Sequence, residues 1–418
     1  MDAVTRREWA FFALLAAAGA LLAWLRPEKA IDFRVYFENA RHYFGSGAAM
    51  YGPKSGTGWT GGIYRYPPIF LDLFRPLAAL PLAVGAALWA AGKGVTGGWL
   101  AIRMRQRWGL RSVAAFWPGL LLVAAYFIQE LRYGNAQFYI VAMVVAAFLV
   151  GEERPGWGGF WLGWAAALKV WPLFFFPCLV LRRRNRMAGA ACASGAAWTL
   201  LPALWRGWRA QTALLGQWLA QERSIAARNA RLGAFWYPGQ SLHDVMARYL
   251  MRVDYARLPD PNYPQVAWLH WTAAGVEHAW LVAAVALTAA MFYWLWRARG
   301  VEDGVVAFLF CALMVLEPHV HRLVLETLLW PALWLAAEWQ HRRLPRAAQA
   351  GYWLAVGAAV LEPLAPGSAR QRMLQAYGTD FWLVVLPLAA VTGWAAWRRH
   401  GGALRGTADG QAQVTAAH

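Results

Sequence analysis

The sequence predicts an all-α polytopic membrane protein, and three observations lead there. Of its 418 residues 59% are hydrophobic and only 15% charged, where soluble domains carry about 25% charged residues. Apolar stretches recur from end to end, each able to cross a hydrocarbon layer about 30 Å thick. Trp supplies 28 residues, and such rings anchor helices where membrane meets water. This combination excludes a disordered chain, a coiled coil and an ordinary soluble enzyme. Cys178, Cys192 and Cys311 all lie in apolar stretches. They read as small buried hydrophobes and imply no disulfide framework.

The first apolar span runs from about Trp9 to Leu25, behind Arg6 and Arg7. Further spans follow and no convincing cleavage site is present, so it reads as a retained anchor. A polar stretch, 26–66, comes next. The segment from Pro67 to Leu80 is apolar but broken by Pro67, Pro68 and Pro76, with Pro81 just beyond. It reads as lying at the interface or dipping into it. Further spans are expected at about 82–103, 113–129, 135–150, 187–205, 268–296, 303–316, 322–338, 347–361 and 380–397. Segment 158–181 is interrupted by Gly163, Lys169 and Pro172 and flanked by charged turns. It reads as a hairpin of two short helices meeting near Lys169, with both ends on one side. The total is a bundle of about twelve transmembrane helices plus outer juxtamembrane helices. Residues 1–400 form one membrane domain, and 401–418 a polar, disordered cytoplasmic tail.

Charge placement sets the orientation. The chain has 40 Lys and Arg against 22 Asp and Glu, a net charge of +18. With the hairpin in place, 19 of the basic residues fall at one set of helix ends and four (Arg132, Arg322, Arg370 and Arg372) on the short opposite links. That asymmetry predicts cytoplasmic N- and C-termini. Letting 158–181 and 67–80 each cross once would turn the Arg103–Arg111 cluster outwards, a poorer fit. Two long outer loops, 26–66 and 206–264, carry fourteen basic residues against seven acids. Loop 206–264 alternates Arg with Trp, Leu and Ala. Such a pattern can bind single-stranded nucleic acid, but outside the cell, with no supporting motif, attraction to lipid phosphate explains it better. No nucleic-acid partner is expected.

The residues able to carry chemistry lie on that outer side. Phe33, Tyr36, Phe37, Ala40, Tyr43 and Phe44 recur at three- and four-residue spacing, predicting an amphipathic helix on the membrane surface. Asp32 at its start has two readings: a helix N-cap, or a general base taking a proton from an acceptor hydroxyl. Lys169, inside an apolar segment, needs a carboxylate, phosphate or carbonyl partner, and capping the broken helix end is its plainer role. Glu130, beside Gly134-Asn135, could support a site from behind. Gln240 and Ser241 either touch sugar or acceptor hydroxyls or cap the helix Leu242–Leu250. Glu317, His319 and His321 could hold zinc or manganese, contact a phosphate, or make structural hydrogen bonds. No paired-Asp or HExxH motif accompanies them, and no metal or other cofactor is expected.

Taken in order, these motifs resemble glycosyltransferase family 87, the polyprenyl-phosphate-mannose-dependent enzymes of the GT-C superfamily. Asp32, the Gly-rich run to Tyr51, and Tyr66-Pro67-Pro68 resemble that family's first outer loop. Gly134-Asn135-Ala136-Gln137 is similar to its second outer turn. Gly159 to Gly163, followed by Lys169-Val170-Trp171-Pro172, resembles its hairpin signature. Tyr237-Pro238-Gly239-Gln240-Ser241-Leu242 is similar to its Asn-Gln-Ser-Leu motif, with Gly239 in place of the usual Asn. Glu317-Pro318-His319-Val320-His321 resembles its late outer turn. The resemblance covers roughly residues 5–400; each motif is weak alone, and their order carries it.

The resemblance implies inverting transfer of a hexose, mannose by family, from a polyprenyl-phosphate donor at the outer face of the membrane. The Ala/Arg/Trp-rich composition, without any N-x-Ser/Thr site, points to a bacterial cytoplasmic membrane. The resemblance also implies Asp32 as catalytic base. Candidates for the donor phosphate and sugar are His319, His321, Arg322, Arg228, Arg231, Gln240 and Ser241. The family motif favours His321, while departure of this turn from the usual Trp/His-rich pattern leaves His319 open. Tyr36, Tyr66, Asn135, Gln137 and Lys169 stand as supporting residues. The acceptor would be a cell-envelope glycolipid or glycan, and membrane lipids are the surrounding partners. The rival reading is a transporter or flippase for a lipid-linked or anionic solute. Transporters pair broken helices in repeated halves, whereas this sequence shows one broken hairpin and no second copy.

Overall fold

A computed structural model describes residues 3–52, 63–232, 239–255, 263–297, 302–365 and 367–398. Helix occupies 81% of the structure, with no strand among the described residues; Gly239 and His321 form an isolated backbone bridge. The fold is all-α, as the hydropathy pattern predicts. The tail 401–418 lies outside the described residues.

Among the described residues, five helices are long and apolar enough to cross a membrane: Arg6–Leu25, Val113–Tyr133, Asn185–Arg206, Ala273–Arg297 and Phe381–Arg398. A sixth candidate is the pair Pro68–Ala78 and Leu82–Arg107, bent by 116°, where Pro76 and Pro81 interrupt the backbone ladder. The expected tally of about twelve long spans is therefore not met by length alone. Gln137–Val150 has only 14 residues, about 21 Å of helix at 1.5 Å per residue, and Asp303–Leu316 is similarly short. Large apolar side chains on two of the long helices point outwards, among them Leu14, Leu22, Leu281, Val282 and Val285. Surface of that kind belongs in lipid, and the protein is a membrane protein.

The chain divides into two compact units. Unit 1 comprises residues 1–104 and 126–232. It holds α1 (Ala3–Leu25), α2 (Ile31–Ser46), α3 (Pro68–Ala78), most of α4 (Leu82–Arg107) and the end of α5 (Val113–Tyr133). It continues through α6 (Gln137–Val150), α7 (Pro155–Leu168), α8 (Phe176–Leu181), α9 (Asn185–Leu200), α10 (Ala203–Arg206) and α11 (Trp208–Leu232). The break expected near Lys169 is present: α7 stops at Leu168, Lys169 is extended, and a 3-10 turn over Trp171–Phe175 leads into α8. Helices α7 and α9 meet through small residues. A side chain at Gly163 would strike the Ala191 carbonyl oxygen, and one at Gly159 the Met187 carbonyl. This is the Gly-x-x-x-Gly contact of membrane helices, where small residues bring backbones together.

One expectation needs correcting. The apolar face of α2 does not rest on lipid: Phe33, Tyr36, Phe37 and Ala40 are buried inside unit 1. Phe33 and Tyr36 pack on Phe74 of α3, and Tyr36 also on Phe70. Ring edges and faces found better partners there than acyl chains could offer. Within the stretch 206–264, read as a loop, Trp208–Leu232 is the long helix α11. It fastens Gly52, Tyr64 and Arg65 through Gln221, which accepts from Gly52 N and donates to the Tyr64 carbonyl, and through Glu222, which pairs with Arg65.

Unit 2 comprises residues 105–125 and 233–418. Its elements are α12 (Leu242–Leu250), α13 (Ala273–Arg297), α14 (Glu302–Leu316), α15 (Leu329–Gln340), α16 (Arg346–Leu361), α17 (Ser368–Ala376) and the final span, which opens with a π-turn at Phe381–Val385. Its interior contains Trp330 and Trp334 of α15, both almost fully buried.

Candidate active site

In unit 1 the Asp32 carboxylate is not an N-cap. Helix α2 begins at Ile31 with Ala30 at the cap position and no side-chain cap bond. Instead Asp32 Oδ2 accepts from Asn135 Nδ2 at 2.8 Å. Asn135 sits in the 134–138 turn, whose shape depends on Gly134 with φ +69°. A Cβ there would come within 2.7 Å of the Phe33 Cβ, so only glycine lets the turn close against α2. Asn135 Oδ1 accepts from Gln137 N at 2.8 Å and from the Tyr66 hydroxyl at 3.2 Å. The Tyr36 hydroxyl lies 3.4 Å from that of Tyr66 and accepts from Ala136 N at 3.3 Å. Gln137 Oε1 receives Lys169 Nζ at 2.7 Å and the Trp171 indole N–H at 3.3 Å. One network thus gathers Asp32, Tyr36, Tyr66, Asn135, Gln137 and Lys169, although they come from four separate stretches of sequence.

The electrostatics of Asp32 are mixed. Burial raises its pKa, opposed by the Asn135 hydrogen bond and the charges of Lys93 and Lys169, and the net shift is upward. A carboxylate so placed is more basic than a solvated one, as a general base should be. Lys169 also stands at the C-cap of α7, its backbone N–H donating to the Ala165 carbonyl at 3.0 Å, while its side chain reaches Gln137 of α6. Below the turn, Lys93 and Glu130 form a buried pair at 2.9 Å.

Unit 2 organises a second polar group. Ser241 caps α12 by accepting from Asp244 N at 3.0 Å, the capping alternative read from sequence. Its hydroxyl also lies 2.9 Å from Asp244 Oδ2 and 2.8 Å from the Pro318 carbonyl. Asp244 Oδ1 faces His319 Nδ1 at 3.3 Å, and His243 Nε2 meets Glu277 Oε1 at 3.0 Å. Burial would raise the Asp244 pKa, but hydrogen bonds from His243 and His319 hold it well below the usual carboxylate range. Burial would lower the His243 pKa, but Asp244 and Glu277 outweigh it and the shift is upward. The ligand atoms of His243, Asp244 and His319 lie within 4.8 Å of one another, close enough to share a cation. Glu317 and His321, the partners expected from sequence, are not in that group.

Sequence reasoning missed His243 and Asp244. The Ser241-x-x-Asp244 spacing was the available signal, since it marks a helix start whose carboxylate turns back towards the cap. His321 is exposed and its backbone bridges Gly239, with Gln240 N donating to the Val320 carbonyl at 2.7 Å. Gln240 is buried and its side chain donates to the Gln375 carbonyl at 3.0 Å. Arg322 has a different task from the phosphate contact expected of it. It is buried between Glu362 and Asp380, donating to the latter at 2.8 Å, and two carboxylates already neutralise its charge. Arg228 and Arg231 lie on α11, but their side chains, like Tyr237 and Pro238, are outside the described residues.

A membrane helical fold with a part-buried carboxylate held by Asn135 and a separate histidine-bearing turn fits a membrane group-transfer enzyme. The model of glycosyltransferase family 87 matches residues 64–318, more than half of the chain, so the chain belongs to glycosyltransferase family 87. No curated protein and no solved structure matches it.

Proposed function

We propose that the protein transfers a hexose, mannose in the first instance, from a polyprenyl-phosphate donor to a glycolipid or glycan acceptor, with inversion. The observation that supports this most is the seating of Asp32: a partly buried carboxylate, oriented by Asn135, that no cation neutralises by direct contact among the described residues. In the step, Asp32 takes the proton of the acceptor hydroxyl while that oxygen bonds to the anomeric carbon. The bond from this carbon to phosphate oxygen breaks, and polyprenyl phosphate departs with the electron pair. The leaving phosphate needs hydrogen-bond donors or positive charge. We assign that contact to the His319–His321 turn with Gln240 and Ser241, and to Arg228 and Arg231; Arg322 serves as the brace of that turn.

The shorter apolar helices, counted with the long ones, complete a GT-C-type bundle of about twelve membrane segments over residues 1–400. The protein would lie in the bacterial cytoplasmic membrane, with its site on the outer face and both termini inside, serving the cell envelope. No metal takes part in the transfer; the His243–Asp244–His319 group is held by its own hydrogen bonds.

Donor choice tests this reading. Purified protein in nanodiscs, given a bacterial glycolipid extract, should move label from polyprenyl-phosphate mannose and not from a nucleotide sugar, and should do so with a chelator present. Label taken from the nucleotide sugar would refute the donor class. Movement of intact donor between leaflets without transfer would point to the flippase reading. Loss of transfer on chelation, restored by zinc or manganese, would make His243–Asp244–His319 a metal site.

A further inference from the structure

Beneath the turn that holds Asp32 lies a charge pair that the transfer step leaves unused. Lys93 of α4 and Glu130 of α5 are both fully buried. Lys93 Nζ donates to Glu130 Oε1 at 2.9 Å and to the Glu130 carbonyl at 3.2 Å. The same carboxylate oxygen accepts from Phe138 N at 3.2 Å, and the same carbonyl accepts from Gly134 N at 2.9 Å. One residue, charged and locked by a lysine, therefore ties both ends of the 134–138 turn. Between those ties stands Asn135, the partner of Asp32.

Stability gives little reason for such a pair. Desolvating two charges is costly, and apolar replacements of buried pairs are often neutral or better. Intramembrane charges tend instead to mark function. Three charged side chains interact with Asp32: Lys93 and Lys169 with positive sign, Glu130 with negative. The other polar groups of its network are Asn135, Tyr36 and Tyr66. The turn is further pinned from α4, where the Trp89 indole N–H donates to the Gly134 carbonyl at 2.9 Å.

We propose that Lys93 and Glu130 are positioning residues for the base: they fix the turn that presents Asn135 to Asp32, and they set one charge of each sign against that carboxylate. The inference rests on the reading of Asp32 as base, and deepens it. A filler pair would hold helices together and leave the Asp32 titration alone. A positioning pair moves it in opposite directions when either member is removed.

The test uses the full chain in nanodiscs as Lys93→Met, Glu130→Gln and the double variant. Asp32 is titrated by infrared difference against its Asp32→Asn counterpart in each background. Transfer from labelled polyprenyl-phosphate mannose to a glycolipid extract is followed against pH. Lys93→Met, losing a positive neighbour, should titrate Asp32 at higher pH; Glu130→Gln, losing a negative one, at lower pH. The double variant should titrate near wild type yet lose kcat about tenfold to a hundredfold, since the turn is no longer tied. Should the single variants fail to fold, the double, which buries no lone charge, decides alone through that kcat loss at unchanged KM. Unmoved titrations in the singles, or undiminished transfer in the double, would overturn the proposal. Full transfer by Asp32→Asn would instead overturn the base reading, leaving the infrared shifts to judge the pair.

Discussion

Asp32 carries opposing demands at the residue scale, since a base must be ionised and yet want a proton. Burial raises its pKa against the pull of Asn135 and two lysines, so transfer should rise with pH through a value above the usual carboxylate range of about 4. The acid limb of kcat/KM against pH checks this; a limb at or below the solvated value would contradict it. The sign for stability is the reverse. A carboxyl with raised pKa takes up a proton on folding, so its contribution falls as pH rises from its unfolded to its folded value. Asp32→Asn should therefore melt at or above wild type near neutral pH, which differential scanning can read. Asp32 at the head of an aromatic-spaced helix was legible in the sequence, and so was the Asn135–Gln137 turn. That Asn135 would meet Asp32 across 103 residues was not, because pairing at that separation is decided by packing.

Elements carry the next level of the argument. The 134–138 turn depends on Gly134 at φ +69° against Phe33, so Gly134→Ala should cost about 1–3 kcal/mol by backbone strain and collision. It should also lower transfer more than it lowers the melting temperature of the fold would suggest, since Asn135 moves with the turn. Between α7 and α9, Gly163→Val should destabilise by a similar amount, seen as a lower melting temperature in detergent. In α12, His243 stabilises while protonated, with pKa raised by Asp244 and Glu277. Its share is fully present below about pH 6.5 and lost as pH rises through the folded value. His243→Gln should flatten the alkaline side of the stability profile, and an unchanged profile would refute the assignment. The prolines announced the break between α3 and α4, and Lys169 with Pro172 the break after α7. The burial of α2 was hidden, because an amphipathic stripe has the same spacing whether it faces lipid or another helix.

For the whole molecule, the placement of the basic residues predicts an orientation: 19 of the 40 lie at helix ends expected to face the cytoplasm. After replacement of native thiols, Ser46→Cys should react with a membrane-impermeant reagent in intact cells and Asn185→Cys only after permeabilisation. The opposite pattern would invert the topology. The membrane class and the family were legible from composition and motif order. The helix tally was less so, since several apolar stretches fold as helices too short to cross alone. Most direct for the central claim is transfer from labelled polyprenyl-phosphate mannose by wild type and Asp32→Asn in nanodiscs. The account predicts that the variant folds, binds donor and transfers at least about a hundredfold more slowly. Transfer by Asp32→Asn at the wild-type rate would contradict it.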